Sequence, residues 1–211
     1  MLRILLVVLT LSAVGLARAA PEMEMEITLA NGTTAEQQTK AQLEKLLAKY
    51  DVSKWVFTRK INIEKGQIPH SDPVLTLNTR HLDRDDLLLS TFLHEQMHWF
   101  LASKEEATAA AVAELRQMYP SIPLGFPQGS NDEQGNYEHL IVTFLEYQAD
   151  KALLGPAQAK NVMAYWSGDH YTWIYKKVLA DEARIRAVLQ KHALLLYGGD
   201  REKKPAAALP R

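Results

Sequence analysis

His94-Glu95-Gln96-Met97-His98 is the stretch of this chain whose residue types and spacing are best suited to chemistry. In a helix, four residues advance about one turn, so both imidazoles leave the same face and can chelate one ion. Glu95 then sits at the rim of the pair, where a carboxylate can take a proton from an activated water. So short a pattern acquires meaning only from a helical context. Its neighbours Leu87, Leu88, Leu89, Phe92, Leu93, Met97, Trp99, Phe100 and Leu101 are apolar nearly all round, so a helix here is buried. Two imidazoles and a carboxylate in such surroundings need partners.

A catalytic zinc usually has three protein ligands and one open position. The short extended form of the motif would place a glycine and a histidine where Leu101 and Lys104 stand. The chain has no cysteine, so any site uses histidines and carboxylates. Farther along, His139, Thr143, Glu146 and Asp150 share a stripe about 60° wide on a helix that is otherwise largely apolar. Glu146 is the expected third ligand, giving a His₂Glu site for Zn²⁺, although such a set also holds other divalent ions. Asp150, one turn on, is expected to accept a hydrogen bond from the far nitrogen of a ligating histidine. A metal-free polar seam, bonded within itself, is the competing reading of the same stripe.

HExxH on one helix, followed by Glu-x-x-x-Asp on a second, resembles the gluzincins, the thermolysin-like branch of the zincin metallopeptidases. The residues that match are His94, Glu95, His98, Glu146 and Asp150, and they cover two helices. Leu145 stands where gluzincins often carry an asparagine. The resemblance implies a short sheet ahead of the first helix, with an edge strand that binds an extended peptide; residues 74–78 are placed to play that part. An oxyanion donor is also required. His139, His170 and Tyr171 are the candidates, with Tyr137 a weaker one. Trp166, Trp173 and Tyr175 read as core, and His70, His81 and His192 as solvated. Other functions compatible with these residues are a hydrolase of cell-wall peptides and a non-catalytic zinc-binding or interaction module. Glu95 argues against the last, since a purely structural site has no need of it.

The elements that must position these residues follow from periodicity and punctuation. Leucines at helical spacing predict a helix over 34–50. Residues 54–64 alternate as a strand or hairpin arm, 66–73 form a loop, and 74–78 a second strand. Asp83 is expected to cap a helix over 84–102. Further helices are expected over 104–119, 136–154, 157–166 and 171–196, with a long loop at 120–135 that holds three prolines and three glycines. The order predicts an α+β domain, a small sheet on a mainly helical body; the resemblance implies that this body is zincin-like and carries the HExxH helix.

The 211 residues suit one domain. Met1-Leu2-Arg3, an apolar run over 4–16 and Ala17-Arg18-Ala19 read as a secretory signal over 1–19, which predicts an exported protein, periplasmic or secreted, with no stable membrane insertion after cleavage. The domain is expected over 20–198 and a disordered tail over 199–211. With 24 basic against 25 acidic side chains and no long basic run, a nucleic-acid partner is not indicated. The expected partner is a peptide or protein substrate, and nothing in the sequence fixes an oligomeric state.

Overall fold

The computed structural model describes residues 24–196. The expected signal segment and terminal tail lie outside the described residues. The architecture is α+β. Three parallel strands, β1 (Glu26–Leu29), β2 (Lys60–Ile63) and β3 (Leu75–Leu77), lie in the order β1-β2-β3, against a body of helices. Strand β1 falls in a stretch that reads only as polar in the sequence. It runs along a sheet edge and its residues alternate between exposed and half-buried, so it needs no apolar run.

Helix α1 (Thr34–Lys49) starts at a capping box: Glu36 N–H donates to the Thr33 hydroxyl, and the Glu36 carboxylate accepts from Thr33 N–H. The same carboxylate accepts from the backbone of Asn31 and Lys65, which ties the helix start to the turn after β2. These donors, Lys65 foremost, lower the Glu36 pKa to about 2.

The edge of β3 differs from the expectation for residues 74–78. His70 and Thr76 exchange two backbone hydrogen bonds, of 3.1 and 2.7 Å. The chain folds back on itself and occupies the outer edge at Thr76, so that position is not open to a peptide strand.

Helix α2 (Asp85–Ala102) runs through the centre of the core. Its cap position is Arg84 rather than Asp83, with no side-chain cap; Asp85 and Asp86 in the first turn complement the helix dipole instead. Gln96, fully buried, bolts this helix to the chain entering β2. Its oxygen accepts from Phe57 N–H at 2.7 Å and Thr58 N–H at 2.9 Å, and its amide donates to the Thr58 carbonyl at 2.8 Å.

Helix α3 (Glu105–Met118) leads to the expected loop, and α4 (Glu133–Leu154) begins three residues before 136, because Asp132 caps it through Gln134 and Gly135 N–H. Gly155, at φ +83°, ends α4 and Pro156 opens α5 (Pro156–Asp169), which runs past the expected stop at 166. The helix expected over 171–196 is two, α6 (Thr172–Ala180) and α7 (Glu182–Lys191). Asp181 forms the break, where it accepts a hydrogen bond from Tyr119 at 2.9 Å. No described helix is long and apolar enough to cross a membrane.

Candidate metal centre

Helices α2 and α4 pack with their polar stripes face to face and in opposite directions. Ser90 meets Asp150 and Glu146, His94 meets Glu146, and His98 meets His139. His94, His98 and His139 thereby converge. Their ring centroids are 5.2, 5.5 and 4.8 Å apart pairwise, and one nitrogen of each lies within 4.8 Å of the others. This group could hold a metal ion.

The outer nitrogens of two of these rings are already committed. His139 Nδ1 is 2.7 Å from the Gly135 carbonyl, which can only accept, so Nδ1 carries the proton and Nε2 keeps its lone pair. His94 Nδ1 is 2.8 Å from Glu146 Oε2. With an ionised Glu146, the same tautomer follows. Burial lowers the pKa of His94 and of His139 to about 3, and that of His98 well below the usual range, so all three are neutral and ready to donate lone pairs at neutral pH. Three neutral imidazoles, two of them with the outer nitrogen anchored, are a donor set that fits zinc.

Glu146 is therefore not where the His₂Glu expectation put it. Its carboxylate backs His94 instead of joining His98 and His139, and it also accepts from Ser90 at 2.6 Å and Tyr175 at 3.1 Å. It takes the outer position expected of Asp150, which reaches only Ser90, at 3.0 Å. His139, expected as an oxyanion donor, lies instead with His94 and His98 in the group that could hold an ion.

Glu95 is 5% exposed, lines the same cleft and has no hydrogen-bond partner among the described residues. Burial, with the Glu146 charge nearby, raises its pKa to about 8. A cation beside it would oppose that shift.

The cleft encloses about 990 Å³. One lip is the loop that carries Ile68, and the other is the loop that carries Phe126; both of these side chains are exposed. The second lip is held from below. Asn136, fully buried, accepts from Ser130 N–H and donates to the Ser130 carbonyl, and a Cβ at Gly129 would come within 2.8 Å of the Asn136 amide, so only glycine fits there. The first N–H groups of α6 donate to the carbonyls of Pro127 and Gln128.

His170 and Tyr171 stand at the junction of α5 and α6, on the cleft wall. His170 Nδ1 lies 2.7 Å from Asp169, while its Nε2 makes no protein hydrogen bond. Arg80 pairs with both oxygens of Asp169, and this pairing is the main reason the Asp169 pKa falls to about 2. Tyr171 stacks on His139, with centroids 4.1 Å apart and planes 18° from parallel. It does so from a left-handed backbone, φ +47°, which a bulky residue adopts only under tertiary constraint.

Compared with protein-family models, curated proteins and solved structures, the chain matches none. The chemistry of the cleft rests on its own geometry. Tyr137 is buried away from the cleft, with its hydroxyl on the Tyr119 carbonyl. Trp173 packs beside Tyr119, and His192 is bonded to Glu114. His81, expected in solvent, is buried between Tyr165 and Trp166, and burial lowers its pKa to about 4. Sequence reasoning missed Ser90, Arg80 and Asp169. Ser90 had a signal: it lies four residues before His94, so Ser90, His94 and His98 form a polar stripe on an otherwise apolar helix. Trp166 and Tyr175 are buried as expected, yet their polar atoms point into the site.

Proposed function

We propose that this chain is an exported zinc-dependent hydrolase of peptide bonds on a zincin-like scaffold. The observation that carries the reading is the convergence of three neutral imidazoles on the wall of an open cleft, with an unpartnered glutamate beside them. His94, His98 and His139 would hold the ion. Bound there, zinc supplies Lewis acidity, which acidifies water and polarises a carbonyl.

The protein's residues do the rest. Glu95 takes a proton from the attacking water and returns it to the leaving amine. His170, held through Asp169 and Arg80 with Nδ1–H on the Asp169 carboxylate, donates Nε2–H toward the charge that develops on the carbonyl oxygen when both of its ring nitrogens carry protons. Tyr171 holds the His139 ring by stacking. The lips around Ile68 and Phe126 leave room for an extended chain between them. A purely structural metal site would need neither an open cleft nor Glu95. The apolar run over residues 4–16, flanked by a basic start and an Ala-x-Ala end, supports export.

The test is hydrolysis of an unstructured polypeptide by the zinc-loaded protein and by Glu95→Gln. The wild type is expected to cleave it, and Glu95→Gln to keep its zinc while losing about 10²–10⁴-fold in kcat. Equal activity of the two proteins, or no cleavage by the zinc-loaded wild type, would contradict the reading.

A further inference from the structure

Behind His94 lies a buried group that the catalytic proposal does not use. Ser90 and Asp150 are fully buried. The Ser90 hydroxyl is 2.6 Å from Glu146 Oε1, 3.0 Å from Asp150 Oδ2 and 3.1 Å from Trp166 Nε1. Proton counting decides how these bonds run. Trp166 N–H can only donate, so Ser90 accepts from it. The hydroxyl has one proton to give and faces two carboxyl groups. If both were ionised, one close contact would bring two acceptors together with no hydrogen between them. One carboxyl group therefore carries a proton of its own.

That group is Asp150. Glu146 has a contact on each oxygen, with Oε1 facing Ser90 and Oε2 accepting from the Tyr175 hydroxyl and lying 2.8 Å from His94 Nδ1, a setting that suits an anion. Asp150 has Oδ1 buried without a hydrogen-bond partner among the described residues, a poor place for a charge. Burial and the Glu146 charge push its pKa well above the usual carboxylate range.

We propose that Asp150 is a neutral acid that donates to Ser90, that Ser90 donates to Glu146, and that this relay fixes the carboxylate which orients His94. Ser90 and Asp150 are then positioning residues: they touch neither ligand nor substrate and act through Glu146. A carboxylate with three donors in fixed places keeps the His94 ring in one tautomer and one orientation. Loss of such outer support typically lowers metal affinity about 10–100-fold. The proposal rests on His94 as a ligand, and its test separates the two ideas.

Zinc affinity is measured by chelator competition on the full chain, for wild type, Ser90→Ala and Asp150→Asn. Infrared spectra at neutral pH are recorded on the same proteins without metal. The wild-type minus Asp150→Asn difference spectrum is expected to show the carbonyl stretch of one protonated carboxylic acid, beyond the band that Glu95, its pKa raised to about 8, gives in both proteins. Asp150→Asn keeps a neutral donor of the same shape and is expected to hold zinc within a few-fold of wild type, whereas Ser90→Ala is expected to lose about 10–100-fold. No difference band between wild type and Asp150→Asn overturns the relay, as does Ser90→Ala binding zinc as tightly as wild type. Wild type failing to bind zinc overturns the metal reading, while the infrared band still reports on Asp150.

Discussion

His170 is the residue whose surroundings say most about its work. It projects from the start of a tight junction, one nitrogen tied to Asp169 and the other free in the cleft. Arg80, from the segment after β3, clamps Asp169 in turn, so the ring orientation is set by two elements. Removing a preorganised donor to an oxyanion costs about 10²–10³-fold in kcat. His170→Ala is expected to show a loss of that order in steady-state kinetics, with zinc content unchanged. A variant that lost zinc instead would make His170 a structural partner of the cluster. Tyr171 poses a different constraint, since its left-handed backbone is compensated by stacking on His139. No local pattern in the sequence announces this conformation. In the sequence Tyr171 stands out only by following Gly168-Asp169, which reads as a turn but is the last part of α5.

At the scale of elements, α2 and α4 are the pair that makes the site. Both were legible, because each is apolar almost all round with one narrow polar stripe. The membership of the stripe on α4 was legible too. What could not be read was which of its members meets which residue of α2. That depends on the antiparallel register of the two helices, fixed by packing of the whole core and not by local spacing. A shift of one to two turns along α4 is all that separates a Glu146 ligand from a His139 ligand. The break between α6 and α7 at Asp181 was likewise hidden, since it is pinned by Tyr119 from a distant helix. Gln96, inside the motif, is the clearest mechanical part of α2. Replacing it with leucine leaves the N–H groups of Phe57 and Thr58 and the Thr58 carbonyl without their partner, at about 1–3 kcal/mol for each group left buried. Gln96→Leu is expected to lower Tm by about 6 °C or more, at about 2–4 °C per kcal/mol in a chain of this size, as read by calorimetry. An unchanged Tm would mean that water replaces the amide and that the bolt is dispensable.

For the whole molecule, the candidate site couples to stability through protons. The buried histidines have folded pKa values pulled down from 6.5, to about 3 for His94 and His139. In the metal-free protein, the unfolded chain binds their protons first as pH falls. Stability from these groups is complete above pH 6.5 and is lost progressively as pH falls toward 3. Glu95 has the opposite sign: its pKa rises from 4.5 to about 8, so its share is complete below pH 4.5 and is lost as pH climbs through 8. Thermal melts of metal-free protein across these windows are expected to fall on both sides, with the acid limb shallower in His139→Gln. An acid limb that is unchanged in His139→Gln would contradict a neutral, half-buried His139. Zinc at 100 times its Kd adds about 2.7 kcal/mol, which raises Tm by about 5–10 °C.

The most direct measurement of the central claim is zinc stoichiometry of purified, zinc-supplied protein for wild type, Glu95→Gln, His139→Ala and Glu146→Gln. The account predicts about one ion per chain in wild type and in Glu95→Gln. It predicts loss of the ion in His139→Ala, and a weakened but measurable site in Glu146→Gln. An ion retained by His139→Ala and lost from Glu146→Gln would return the ligand role to Glu146, and an ion absent from wild type would leave the seam between α2 and α4 a purely structural network.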